Sequence, residues 1–210
     1  NIGFVTALRQ NADTEVSVML VPTPGTILTD QLPKRAVLYD PAPYDTLGEE
    51  LCEADSVRWL AIRDEIVRAA HDSVRPLYFK TDHHWTTNGA YAGAALYLQA
   101  HGITPVPQES YDVQTKSNRF FGTLYSKVAG LPGARPEKID LPMNLPQGIR
   151  IETSGAPADA LSTNGTHEMP QLSGIYDLSK LEGKDKYAVY FGGNYGSLTI
   201  TNPSAQTDRK

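Results

Sequence analysis

In Pro76-Leu77-Tyr78-Phe79-Lys80-Thr81-Asp82-His83-His84-Trp85-Thr86-Thr87 the densest polar cluster of the chain, Thr81 to Thr87, is set between two different patterns. Pro76 to Phe79 is a short apolar run of the strand type. Thr86 or Thr87 can cap a helix whose pattern runs to about His101 and stops at Gly102. Within that helix Ala90, Ala94, Tyr97 and Leu98 are predicted to form the buried stripe, and Gly89 and Gly93 allow a close neighbour. A strand entering a polar turn and leaving as a helix is the repeating unit of an open α/β sheet. In such a sheet the turn falls at the carboxyl edge of the strands, where ligand sites form.

Upstream, the same alternation continues. Ile2 to Arg9 has helical spacing, with Ile2, Phe4, Val5 and Leu8 as its apolar face. Val16 to Val21 reads as a strand buried on both faces, stopped by Pro22, Pro24 and Gly25. Tyr44 to Leu51 forms a predicted helix, and Val57 to Ile62 a strand that runs into a helix carrying Ile66, Val67 and Ala70. The expected fold class is therefore α/β, three layers with a parallel sheet and right-handed crossovers, over residues 1–104. From Pro105 the chain turns rich in proline and glycine. Residues 105–180 read as a partly antiparallel β insertion with pieces such as Ile149 to Glu152, not expected to fold alone. Tyr187 to Phe191 and Leu198 to Thr201 are predicted strands that return the chain, over 181–210, to the α/β domain, and the tail from Asn202 is polar.

The 210 residues, 40% apolar and 20% charged, have an ordinary globular composition. A chain of this length buries roughly 70% of its unfolded surface and needs no metal or disulfide to fold. The net charge of -5, without any block of like charges, gives no footprint for nucleic acid or an anionic membrane surface. No apolar run approaches the roughly 20 residues that cross a bilayer. The single cysteine, Cys52, can make no internal disulfide. Asn1 opens the chain without an initiator methionine and directly in a helical pattern, so both ends are expected to have been cut from something longer.

Two histidines beside an aspartate admit three readings. In the first, one imidazole is a general base and Asp82 accepts a hydrogen bond from its other nitrogen, fixing the tautomer and stabilising the imidazolium. On extended backbone, side chains two apart share a face, which pairs His84 with Asp82 and sends His83 to the other side as a structural histidine. In the second reading the cluster binds a metal. Three protein ligands are then required, adjacent His83 and His84 do not easily converge on one ion, and His71, His101 and His167 stand alone in the sequence. In the third, Thr81 or Asp82 begins a turn and the histidines are satisfied polar residues near a helix start.

The stretch from Tyr78 to Tyr91, with Asp82-His83-His84-Trp85 at its centre, resembles the bacterial DHHW protein family. Leu20-Val21-Pro22-Thr23, Phe121-Gly122-Thr123-Leu124-Tyr125-Ser126-Lys127 and Gly192-Gly193-Asn194-Tyr195-Gly196 resemble segments of that family in the same order. The resemblance implies a branch of the SGNH hydrolase-like group, alongside the alginate O-acetylation proteins, whose Asp-x-His signature precedes a nucleophilic serine in the chain. It makes Asp82 the triad aspartate and His84 the triad histidine, the same pair that spacing selects.

No Asp-Ser pair follows Trp85. Asp55-Ser56 and Asp72-Ser73 lie upstream and read as surface turns, and Ser126, Ser173 and Ser197 carry no nucleophile-turn signature. The serine is therefore expected beyond Lys210, leaving this segment inactive alone. Gly193 and Asn194 match the glycine N–H and asparagine amide that SGNH-type sites aim at an oxyanion, against the alternative of a β-turn with a left-handed Asn. Arg119 and Lys127 are candidates for acidic groups on a glycan, and Trp85, Tyr125 and Tyr195 for stacking on sugar rings. The resemblance thus implies an ester hydrolase or O-acyltransferase acting on a cell-envelope polysaccharide. It needs no cofactor or metal, works outside the cytoplasm, and touches the membrane only through a missing N-terminal segment. It also admits a protein partner in an envelope assembly. The alternative is a non-catalytic carbohydrate-binding or scaffold module of such an assembly.

Overall fold

The computed structural model describes residues 2–11, 15–128, 133–154 and 175–205. Ser173 and His167, named above, lie outside the described residues. The chain divides into two compact units, Asn1–Ser110 and Tyr111–Lys210.

In the first unit the order is α1 (Ile2–Asn11), β1 (Ser17–Met19), α2 (Pro24–Ile27), α3 (Ala42–Ala54), β2 (Arg58–Leu60), α4 (Arg63–Asp72) and α5 (Thr87–Ala100). Strands β1 and β2 pair in parallel, Ser17 opposite Arg58 and Met19 opposite Leu60, with α3 as the connecting crossover. Pro24 does not merely stop β1. It opens α2, where a missing N–H and a fixed φ suit the first helical turn. Strand β1 is half-buried along its length, not buried on both faces as its apolar run suggests, and β2 is its one ladder partner among the described residues.

The core gathers Ile27, Leu60, Ile62, Ile66, Leu77 and Tyr78, with Met19, Val67, Trp85, Ala92, Leu96 and Ala100 packed against it. The apolar face expected on α1 is not buried: Phe4 and Leu8 are exposed and Thr6 is the buried position. Helix α5 keeps its predicted ends. Thr86 Oγ1 accepts from the Gly89 N–H at 3.3 Å, His101 is the C-cap, and Gly102 follows at φ +68°.

The stripe of α5 is a different one from that predicted. Gly89 and Gly93 are its buried positions, Ala92, Leu96 and Ala100 share the inner face, and Ala94 and Tyr97 are exposed. The physical reason is bulk: Trp85 occupies the space that larger residues would otherwise fill, so the glycine line turns inward. A Cβ on Gly93 would stand 2.4 Å from the Trp85 ring, and one on Gly89 would stand 2.1 Å from the Leu77 carbonyl oxygen.

The second unit contains β3 (Val113–Phe120), α6 (Thr123–Lys127), β4 (Glu137–Pro142), β5 (Arg150–Ser154) and β6 (Ser197–Thr201). β3 and β4 form an antiparallel ladder with register shifts on either side of Ser117. β5 and β6 form a second ladder, Arg150 opposite Thr201 and Ser154 opposite Ser197. Period-two alternation on β4 turns Ile139 and Leu141 inward, and both are fully buried, as are Phe120 and Val189. The strand predicted at Tyr187 to Phe191 is instead a 3-10 turn over Lys186–Val189 followed by a single bridge, Tyr176 to Tyr190. Positive φ at Phe191, Gly192 and Gly193 breaks any extended continuation.

Candidate functional site

The cluster sits on a hairpin, not on the strand-to-helix turn expected from Pro76 to Phe79. Tyr78 bridges Trp85 in antiparallel fashion, the Phe79 N–H donates to the His84 carbonyl at 3.2 Å, and the Thr86 N–H donates to the Leu77 carbonyl at 2.8 Å. Lys80 to His83 form its tip. Proline at 76, which cannot donate to a ladder, and the cap at Thr86 restrict pairing to this short stretch. The hairpin is fastened to the sheet by Tyr78, whose hydroxyl donates to the Pro22 carbonyl at 2.6 Å, just past the carboxyl end of β1. Burial pushes this phenol up to about 12. Arg63, at the carboxyl end of β2, lies near enough to oppose that shift. Its Nε donates to Asp45 Oδ2 at 2.5 Å and its Nη1 to Thr26 Oγ1 at 3.3 Å.

Asp82 closes the tip as an Asx turn. Its Oδ1 accepts the backbone N–H of His84 at 3.0 Å, the i to i+2 bond characteristic of Asp in turns. The same oxygen lies 2.5 Å from His84 Nδ1. A carboxylate only accepts, so Nδ1 carries the hydrogen and Nε2 is left as the basic nitrogen of the neutral ring. Asp82 is 1% exposed, whereas the His84 side chain is 37% exposed. A buried orienter thus holds a ring whose other edge reaches solvent. Spacing selected this pair, although the backbone that unites it is a turn.

That turn also relocates His83. Extended backbone would send it to the opposite face. Instead its ring lies 3.9 Å from that of His84, centroid to centroid, and its Nδ1 is 3.5 Å from Asp82 Oδ1. Asp82, His83 and His84 each present one ligand atom within 4.8 Å of the others, so adjacent rings do converge here. The 2.5 Å separation of His84 Nδ1 and Asp82 Oδ1 is nevertheless a hydrogen-bond distance. Two donors sharing a tetrahedral ion at the usual bond lengths stand about 3.3 Å apart.

Trp85 packs its ring on the glycine face of α5 and belongs to the core cluster. Asn88, one turn further on, ties the hairpin base to the end of α4 through Ser73 Oγ and the Arg75 carbonyl, both at 3.0 Å. Arg119, Gly193, Asn194 and Tyr195 belong to the second unit. Arg119 is exposed on β3, and Tyr125 stacks on Phe121 at 4.3 Å. Positive φ falls on Phe191, Gly192 and Gly193, and not on Asn194, so the left-handed Asn considered from the sequence is replaced by glycines. Arg63, Asp45 and Tyr78 were missed as companions of the hairpin. No spacing announces them, since Tyr78 and Pro22 are 56 residues apart.

A family model described as the SGNH hydrolase-like domain of acetyltransferase AlgX matches residues 3–138. The chain belongs to this SGNH hydrolase-like family. Among solved structures, a DHHW family protein from Eubacterium siraeum superposes with a TM-score of 0.65 at 17% identity, over 98% of this chain and 65% of that one. Bacillus cereus PatB1, solved with a sulfonyl adduct, superposes with a TM-score of 0.58 at 19% identity over the same shares. The O-acetyltransferase domain of Pseudomonas putida AlgJ aligns with a TM-score of 0.47 at 19% identity, over 65% of this chain and 51% of that one. No curated protein sequence matches. The chain therefore spans 65% of the length of the DHHW protein and of PatB1, and its SGNH hydrolase-like fold is shared with both. Of the expected site residues, Asp82, His84, Trp85 and Arg119 lie within the span matched by the family model, and Gly193, Asn194 and Tyr195 lie beyond it.

Proposed function

We propose that this SGNH hydrolase-like chain supplies the proton-relay half of an acyl-transfer site acting on a polysaccharide. His84 Nε2 removes the proton of a serine hydroxyl and returns it to the departing oxygen, while Asp82 holds Nδ1–H and stabilises the imidazolium between the two steps. The observation that carries the reading is the 2.5 Å contact between a carboxylate 1% exposed and an imidazole that reaches solvent. The serine lies outside Asn1–Lys210, and β1–β2 is the start of a larger three-layer parallel sheet that it joins. The protein works in the bacterial cell envelope, outside the cytoplasm, with acetyl as the group transferred.

The test is ester hydrolysis and acetyl transfer by the intact protein with and without His84→Ala. Loss of a general base predicts a fall of about 10²–10⁴-fold. Equal rates refute the assignment and favour a non-catalytic carbohydrate-binding or scaffold module. The rival within the same residues is a first-row divalent cation on Asp82, His83 and His84. It requires stoichiometric metal in the purified protein, lost in Asp82→Ala. Coding sequence beyond Lys210 that lacks a strand followed by an Asp-Ser or related turn counts against the serine.

A further inference from the structure

We propose that Ser17 is a second base-activated nucleophile, paired with His101 at the amino edge of the sheet and reactive toward activated acyl and phosphonyl esters. Ser17 Oγ lies 3.0 Å from His101 Nε2, and His101 Nδ1 lies 2.8 Å from the Tyr97 carbonyl oxygen. A carbonyl only accepts, so Nδ1 carries the hydrogen. In the neutral ring Nε2 then has a bare lone pair, and the only hydrogen available between the two groups is that of the Ser17 hydroxyl. The hydroxyl therefore points its proton at a base whose tautomer is fixed by main chain. This is the arrangement of an activated serine with a backbone carbonyl in place of a carboxylate.

The surroundings suit the charge that develops. His101 is the C-cap of α5, where the negative end of the helix dipole favours an imidazolium, and the Tyr97 ring lies 4.4 Å from it. Arg58 is the cross-strand partner of Ser17 in the parallel ladder, and its Nη2 is held by the carbonyl of Ala100, the residue before His101. Its guanidinium is thus tied to the end of α5, at the residue next to the base. Ser17 and His101 are both partly exposed. Ser17 begins β1, whereas Tyr78 anchors the Asp82–His84 hairpin beyond the other end of that strand. The two centres are separate, and Ser17 is not the missing partner of His84.

In the step assigned here, Ser17 Oγ bonds to the acyl carbon as its proton passes to His101 Nε2. The carbon–oxygen bond to the leaving alcohol then breaks, and that oxygen takes the proton from Nε2, leaving an ester on Ser17. With a fluorophosphonate probe the oxygen–phosphorus bond forms, the phosphorus–fluorine bond breaks, and fluoride leaves with the proton.

The experiment is labelling of the full chain with a fluorophosphonate, followed by peptide mapping. Ser17 should be labelled at least about 10²-fold faster than Ser126, an exposed serine whose hydroxyl donates to the Thr123 carbonyl. Ser17 labelling should drop by a similar factor in His101→Gln, which keeps a polar side chain at the cap, and be unchanged in His84→Ala. Labelling of Ser17 no faster than Ser126 in the unmodified protein overturns the proposal whether or not His101→Gln folds. So does equal labelling in a folded His101→Gln variant. Either result would leave the Ser17–His101 contact as a clasp between β1 and α5, and would say nothing against His84.

Discussion

Asp82 has two tasks at once, and one substitution separates them. Its Oδ1 closes the Asx turn on the His84 N–H and also orients the His84 ring. Asn in its place can still accept the backbone hydrogen, so the turn survives. Its amide cannot stabilise an imidazolium, and it permits the wrong tautomer. For Asp82→Asn in the intact protein, kcat for ester turnover should fall by about 10³–10⁴-fold with KM little changed and the melting temperature preserved. A variant that melts early, or that loses activity through KM alone, would show Asp82 to be a turn residue only. This pair was legible because its chemistry is local: a carboxylate and an imidazole two residues apart meet on a strand and in this turn alike. The position of His83 was not legible, since the alternation that sends it to the far side holds on extended backbone and fails in an Asx turn. Ser17 and His101 were beyond reach for a different reason, being 84 residues apart with no pattern of their own.

At the scale of elements, the helix after the motif was legible in its ends and not in its face. Thr86 and Gly102 mark the ends through local hydrogen bonding and backbone freedom, which sequence carries directly. The face depends on which neighbour arrives, and here it is Trp85, lying across Gly89 and Gly93. A Cβ at Gly93 meets ring atoms at 2.4 and 2.5 Å, and one at Gly89 meets Leu77 main chain at 2.1 Å and the Trp85 Cβ at 2.8 Å. Because Trp85 follows His84 directly, displacing the ring also tilts the base. Gly93→Ala should cost ~1–3 kcal/mol in urea unfolding, and Gly89→Ala more, because main chain cannot swing aside. Trp85→Phe removes the ring atoms nearest Gly93. The double variant Gly93→Ala/Trp85→Phe should therefore be more stable than the two single losses predict, by ~0.5–3 kcal/mol of coupling. Strict additivity would mean that the helix and the hairpin do not meet through this contact.

Over the whole molecule, the order α1, β1, α3, β2, α4 and α5 was legible because each of these elements carries its own period, whereas α2 and the hairpin that stands before α5 in place of a strand were not. The sheet was less legible, since pairing is a property of two distant segments. Tyr78 illustrates the difference: it sits in a run that reads as a strand, yet it serves as a bolt, 4% exposed, joining the hairpin to the chain beyond β1. Its phenol, ordinarily at 10.0, is pushed up to about 12 by burial, and that sets a pH dependence for the fold. Above pH 10 the unfolded chain releases this proton while the folded protein retains it, so the unfolded state binds fewer protons and stability falls as pH rises. Below pH 10 the contribution is fully present. Tyr78→Phe removes both the ionisation and the hydrogen bond to the Pro22 carbonyl. At pH 8 the natural protein should be the more stable by ~1 kcal/mol, measured as a urea midpoint. Between pH 10 and 12 that advantage should shrink and then reverse, because the phenylalanine has no proton to lose. A difference between the two proteins that stays constant from pH 8 to pH 11.5 would place the Tyr78 hydroxyl in water, and would detach the hairpin that carries Asp82 and His84 from the end of β1.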